Sequence, residues 1–211
     1  MKNILLVSIL FFVTACGTSS QDAVISIFPK VNPSNIGDSI PLHVSVVDSR
    51  SSKVIGTYGV NDQNPTSEDI ESTIEDSRAT NTARRFGGGS QIYTSQDLAR
   101  TIGVALVDSF SRVGFSITDK NSTSAIHLHV FLEELNYTMD PGTIKTEVNT
   151  KSRVRVEAVD KGYIRTFSNS EQITVPFSAS SDSNNSQLSN TLNTTIQRII
   201  DDADLISALK K

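Results

Sequence analysis

The 211-residue chain has one cysteine, Cys16, and its setting gives the thiol a definite chemistry. Lys2 precedes an apolar run from Ile4 to Val13, broken only by Ser8, and the small residues Thr14 and Ala15 lead straight into Cys16. A positive start, an apolar centre and a small-residue end form an export signal, and the run is shorter than the roughly 20 residues that a permanent membrane helix needs. An ordinary secretory signal followed by a free cysteine gives the thiol no task. A signal cut before Cys16 does, because the new terminal residue then takes a diacylglycerol through a thioether. Several acyl chains on one residue anchor a protein stably, where a single chain gives only reversible binding. Residues 1–15 are therefore read as a lipoprotein signal peptide, Cys16 as the lipidation site and residues 16–22 as a lipidated polar tether.

The other chemically capable residues make weaker sets. His127 and His129 share one face of an alternating stretch, and His43 lies on the outward face of another. Were those strands neighbours, three imidazoles would meet at a spacing that suits zinc. Solvated or half-buried strand residues are the simpler account, no cysteine remains to complete a site, and no metal is assigned. Arg84-Arg85-Phe86-Gly87-Gly88-Gly89 has the glycines of a phosphate loop but not the lysine and hydroxyl residue that should follow, and no clear helix begins there. Asp48 and Arg50 fit an ion pair at a strand end. Glu133 and Glu134 are adjacent, so an unbroken strand would send them to opposite faces, whereas glycosidase carboxylates face each other across a bond. No G-x-S-x-G elbow activates a serine. No catalytic residue and no cofactor is assigned, and the chain is read as not an enzyme.

A series of strands and two helices must position these residues. Ala23–Phe28 reads as a short strand closed by Pro29 and Pro33. Ile40–Val47 alternates, with Ile40, Leu42, Val44 and Val46 on one face and Pro41, His43, Ser45 and Val47 on the other. Lys53–Val60 is a weaker return arm. Residues 61–90, rich in Asn, Ser, Thr and Gly, read as a flexible excursion closed by Gln91–Thr94. Thr94 or Ser95 is expected to cap a helix with Leu98, Ile102, Ala105, Leu106, Phe110 and Val113 at core-facing spacing, ended by Gly114 before a strand at Phe115–Asp119.

The strongest sheet signal follows. Ile126, Leu128, Val130 and Leu132 alternate, and a phase shift at Glu133-Glu134 predicts a bulge before Leu135 and Tyr137. After a turn at Asp140-Pro141-Gly142, Ile144–Val159 puts Val148, Val154, Val156 and Ala158 on one face and Lys145, Glu147, Lys151, Arg153, Arg155 and Glu157 on the other. Asp160-Lys161-Gly162 turns into a third strand, Tyr163–Phe177. A Ser/Asn linker at Ser178–Asn185 leads to a helix carrying Leu188, Leu192, Ile196, Ile199 and Ile200, and a last turn holds Leu205, Ile206 and Leu209. The predicted class is α+β: one domain over residues 23–211, with an antiparallel sheet covered on one face by two helices and solvated on the other. The charged face is explained by cross-strand charge pairs, and its extent makes Lys151, Arg153, Arg155 and Glu157 the candidate partner-binding residues.

Composition narrows the function classes. The formal charge of −4 becomes −5 once Lys2 leaves with the signal, and no basic run offsets it. That balance argues against nucleic acid as a partner and against electrostatic binding to anionic lipid. The absence of tryptophan weakens any case for sugar stacking. With Cys16 acylated the mature domain has no thiol for a disulfide, so its fold rests on its core.

Taken together, the pieces resemble the YajG family of proteobacterial lipoproteins. Val13-Thr14-Ala15-Cys16 matches the lipobox. The strand Ile40-Pro41-Leu42-His43-Val44-Ser45-Val46 with Asp48-Ser49-Arg50, the helix running into Gly114-Phe115, Ile126-His127-Leu128-His129-Val130 with Glu134-Leu135-Asn136-Tyr137, and the closing Asp204-Leu205-Ile206 also fit. The resemblance implies a membrane-anchored periplasmic α+β domain with no established activity and no catalytic residues to carry over. By similarity to lipoproteins of enteric bacteria, Gly17 rather than Asp favours sorting to the outer membrane. The expectation is a non-enzymatic envelope protein, held on the membrane through Cys16, that binds a protein partner or acts as an accessory subunit. An auxiliary role in lipid transport is the alternative and requires an apolar groove between helix and sheet. A hydrolase ranks third.

Overall fold

The computed structural model describes residues 20–58, 91–120, 122–141, 145–176 and 181–211. The export signal, Cys16, most of the tether, the 61–90 excursion with Arg84–Gly89, and the tip of the Asp140-Pro141-Gly142 turn lie outside the described residues. The alternation that begins at Ile126 becomes three long strands: β6 (Ile126–Pro141), β7 (Lys145–Ala158) and β8 (Tyr163–Pro176). They pair antiparallel in chain order, and β7 and β8 keep one register from Lys145↔Pro176 to Ala158↔Tyr163. The expected bulge is present, as a register shift in β6 between Leu132 and Glu134. It lets the buried series pass from Leu128, Val130 and Leu132 to Leu135 and Tyr137 without leaving the core face. Gly162 closes the β7–β8 turn at φ 64°, after a 3-10 turn at Val159–Lys161.

On its other side β6 carries two shorter strands end to end. β2 (Pro41–Asp48) lies parallel to its first half, from Leu42↔Ile126 to Asp48↔Leu132. β3 (Val54–Tyr58) lies parallel to its second half, from Gly56↔Tyr137 to Tyr58↔Met139. A Cβ on Gly56 would fall 1.9 Å from the Tyr137 carbonyl oxygen, so only glycine permits this approach. β4 (Gln91–Tyr93) is antiparallel to β3, β1 (Gln21–Asp22) is parallel to β4, and β5 (Ser116–Ile117) is parallel to β2. The class is α+β, but the sheet is mixed where an antiparallel one was expected throughout. Alternation reports which face is buried and carries no information on strand direction. The parallel pairing of β2 with β6 follows from the long crossover between them, which contains a helix.

Helices α1 (Leu98–Arg112), α2 (Ser181–Ile200) and α3 (Ala203–Leu209) complete the fold, and α1 and α2 pack on the inner sheet face. The α1 stripe is buried as its spacing predicts, but the cap is Asp97, whose carboxylate accepts the Arg100 N–H. Thr94 and Ser95 are spent elsewhere: the Thr94 hydroxyl accepts the Gln96 N–H, and Ser95 donates from its N–H and its hydroxyl to Asp22. Those two bonds hold the Asp22 carboxyl below its usual pKa. Gly114 ends α1 at φ 98°, packed against Ser34 and Asn35.

β3, from the Lys53–Val60 stretch read as a return arm, does not pair back on β2 but lies against β6 and β4, and two further segments, both concerning α2, also differ from their sequence reading. The helix begins at Ser181, inside the stretch read as a linker. Its polar residues are spent on packing: Asn184, Gln187, Thr191 and Thr195 are buried beside Leu188, Leu192, Ile196 and Ile199. The Tyr137 hydroxyl donates to Asn184 Oδ1 over 2.5 Å, the Thr150 and Thr191 hydroxyls meet at 2.5 Å, and those of Ser152 and Thr195 at 2.6 Å. Helix and sheet thus share a hydrogen-bonded seam inside the core, where an unpaired hydroxyl would be costly. The second segment is Ala23–Phe28. Only Gln21 and Asp22 pair as a strand; Ala23 donates to the Tyr93 carbonyl, and the extended chain beyond it is held by side chains of α2 and by Gln96.

Candidate functional site

The outward residues of β2, β6, β7 and β8 fall into cross-strand rows. One row runs Val47, Phe131, Arg155, Thr166; the next runs Ser45, His129, Glu157, Ile164; a third pairs His43 with His127. The strand period puts every second residue on this face, and the parallel β2–β6 register sets the three histidines beside one another. His43 and His127 meet edge to face with ring centres 5.4 Å apart, and His127 and His129 stack at 6.3 Å. The neighbourhood that a metal would need therefore exists, but the rings make other contacts. His43 Nδ1 donates to the Thr118 carbonyl at 3.1 Å, and His129 Nδ1 lies 2.8 Å from the Ser45 hydroxyl. Among the described residues no three His, Cys, Asp or Glu side chains gather around a point where an ion could sit.

The four charged residues singled out from the sequence do share this face, in two clusters. Lys151 and Arg153 both clamp Glu134, at 3.0 and 3.3 Å. Arg155 binds Glu133 at 2.7 Å and also pairs with Glu157. The bulge is what brings Glu133 and Glu134 to the same side, against the simple expectation for adjacent strand residues. The Arg155 guanidinium also lies over the Phe131 ring, 4.4 Å from its centre. Exposed Val47 and Ile164 flank this pair at 49% and 65% accessibility. Sequence reasoning did not pick out Phe131, Val47 or Ile164. Their outward phase in the alternation was the available signal, but only the register shows that they stand next to Arg155 and Glu157.

Asp48 and Arg50 form the strand-end pair expected of them, with Arg50 Nη2 2.7 Å from Asp48 Oδ2. Burial opposes the charge on Asp48, and the Arg50 guanidinium and N–H outweigh it, leaving the carboxyl below its ordinary pKa. Tyr163, at the end of the sheet, is pushed up to about 12 by burial and by the charge of Asp202. Neither group belongs to a cleft with convergent partners. Grooves also occur among the described residues. One of about 770 Å³ lies between α1 and β2, lined by Val44, Val46, Val104, Val107 and Ile117 together with Asp97, Arg100 and Asp108; another of about 920 Å³ lies at the α2–α3 junction. No helix among the described residues is long and apolar enough to cross a membrane.

These features define an α+β domain with a partly polar core and a solvated sheet face of paired charges around an aromatic–guanidinium centre. The model of a family described as uncharacterized lipoproteins matches residues 61–210, and the chain belongs to that family, which is of the YajG type. No curated protein matches the sequence. Among solved structures, an uncharacterized protein is similar over 84% of this chain and 97% of its own, at 9% identity and a TM-score of 0.42. A homolog of a neuraminyllactose-binding hemagglutinin from Helicobacter pylori is similar over 89% of this chain and 97% of its own, at 10% identity and a TM-score of 0.41.

Proposed function

We propose that this lipoprotein is a non-enzymatic binding subunit of the cell envelope. It is anchored through Cys16 in the outer membrane, faces the periplasm, and holds a protein partner on its outer sheet face. The observation that supports this reading is the row Val47–Phe131–Arg155 with Ile164 beside it. Aromatic and arginine side chains dominate the centres of protein interfaces, and a polar rim of paired charges such as Lys151, Arg153 and Glu134 is the usual surround. Arg155 is held over Phe131 by Glu133 and Glu157, so it meets a partner with little ordering left to do. A photoreactive residue at Ile164 in intact envelopes should give one discrete protein adduct, lost in the Phe131→Ala/Arg155→Ala double variant. The same probe at Thr174, on the far part of that face, should give none. Equal products from both positions, or none from Ile164, would defeat the reading.

The groove between α1 and β2 supports a second reading, an accessory role in lipid transport. Val44, Val46, Val104, Val107 and Ile117 give it an apolar part, with Asp97, Arg100 and Asp108 also in its lining, and its volume of about 770 Å³ lies within the ordinary range for a small-molecule site. Native mass spectrometry of the protein extracted from membranes decides: a bound phospholipid supports this reading, and a lipid-free domain ends it.

A further inference from the structure

An extended chain presents backbone N–H groups to one side at every second residue, roughly 6.6 Å apart. An α-helix presents side chains along one stripe at every fourth residue, roughly 6 Å apart. In this protein the two periods are matched over three steps, through four bonds. The N–H groups of Val24, Ser26, Phe28 and Lys30 donate to Asn185, Ser189, Asn193 and Gln197 of α2, at 3.2, 3.1, 2.7 and 2.8 Å. Asn193 also donates back to the Ser26 carbonyl at 3.1 Å. From the other side Gln96 accepts the Ile25 N–H at 3.0 Å and donates to the Ile25 carbonyl at 2.9 Å, while Ala23, Ile25 and Ile27 are buried beneath. At the entry Gln21 donates to the Ser181 carbonyl. The clamp thus grips the backbone of this arm by side chains, and the arm is the segment that joins Cys16 to the domain.

The direction of the arm is fixed too. β1 is parallel to β4, β4 antiparallel to β3, and β3 parallel to β6, so β1 runs against β6. The N-terminal end of the arm, at Gln21, therefore lies on the side of the C-terminal end of β6, away from His127, His129 and Phe131. Asn184 joins Gln21 to Tyr137, which sets the level of entry. From there Phe131 lies six residues back along β6, about 20 Å, and His127 ten residues, about 33 Å. Only five Cα steps separate Cys16 from Gln21, at most about 18 Å whatever their conformation.

We propose that the clamp fixes the orientation of the domain on the membrane, with the β1–β4 end and the start of α2 next to the lipid and the Phe131–Arg155 face at the far end. This rests on the anchoring and the binding face proposed above, and it adds what kind of partner fits: a protein met in the aqueous space, not one embedded beside the anchor. Were the clamp open, the free arm would run from Cys16 to about Val31, reach about 54 Å and leave the domain without a fixed direction.

The test uses the chain from Cys16 onward, coupled by its one thiol to maleimide-lipid vesicles that carry an energy-transfer acceptor in the headgroups. A fluorescent non-natural residue is placed at Thr174, near the β6 C-terminal end, or at Thr166, in the Phe131 row. Transfer should be severalfold higher from Thr174. It should become nearly equal in the Asn185→Ala/Ser189→Ala/Asn193→Ala/Gln197→Ala variant, and also when eight glycine and serine residues are inserted after Ser19, a change that leaves the clamp and the fold intact. Equal transfer in the unaltered chain, or a difference that survives the insertion, overturns the proposal. Palmitate labelling in cells tests the anchor separately. Unlabelled Cys16 would defeat the anchoring reading and the proposal with it, whereas equal transfer beside a labelled Cys16 defeats the orientation alone.

Discussion

Two stretches of extended backbone are held in this protein by opposite means. In the β6–β7–β8 meander each strand satisfies its neighbour's N–H and C=O groups, and side chains are left free to sort into a buried and a solvated face. In the arm from Val24 to Lys30 the N–H groups of Val24, Ile25, Ser26, Phe28 and Lys30 go to side chains of α2 and Gln96. The meander is cooperative and deep, because every pair rests on the same core. The arm has only a line of mostly exposed bonds above three small or aliphatic side chains. Strength resides in the first, and direction relative to the anchor in the second.

The largest loss should come from the meander core. Leu132→Ala, at a fully buried position beside the bulge, should lower the unfolding free energy by about 2–5 kcal/mol in denaturant titration, through lost burial and the cavity left behind. Gly56→Ala attacks the join between the meander and β3. The added Cβ meets the Tyr137 carbonyl, which belongs to backbone and has little freedom to yield. A loss of about 1–3 kcal/mol is expected, with faster amide exchange concentrated in β3. Asn193→Ala tests the arm alone. It deletes an acceptor for Phe28 and a donor to Ser26, costing about 1 kcal/mol, and the Phe28 amide should lose exchange protection while β7 and β8 amides keep theirs. Loss of protection in both regions would show that they unfold as one unit and would break the comparison.

The smallest effect concerns the end of β2. Asp48 has a depressed pKa in the folded chain, so its contribution to stability is present above the unfolded carboxyl value of about 3.9 and is lost as pH falls through the folded value. Arg50→Ala removes the guanidinium that does most to offset the burial of Asp48, leaving only the backbone N–H and the Lys53 charge. The variant should be less stable at neutral pH, and its deficit should shrink as acid protonates the carboxyl below about pH 4. Acid titrations of both proteins followed by circular dichroism check the sign, and a deficit that grows with acid would contradict it.

How far the fold could be read from the residues follows the same division. The meander was legible to its bulge because burial imposes a period of two, and one extra residue at Glu133-Glu134 is what returns Leu135 and Tyr137 to the buried phase. The α1 stripe was legible for the corresponding reason at helical spacing. The start of α2 was not, because Ser181, Ser183, Asn184 and Asn185 have the composition of a linker. Only its packing shows that Asn184 bonds Tyr137 and Asn185 bonds Val24. The candidate face was half legible: Lys151, Arg153, Arg155 and Glu157 could be placed outward, but Phe131, Val47 and Ile164 join them only through pairing between strands far apart in the chain.

The sequence by itself determined the candidate anchor and the α+β class, since a lone cysteine behind a short apolar run and two periodicities are local properties of neighbouring residues. Tertiary structure decided the parallel strands, the rows on the outer face and the clamp on the arm. Each of those depends on which distant segments meet, and a donor's choice between a strand and an asparagine side chain is settled only when both lie within hydrogen-bond reach.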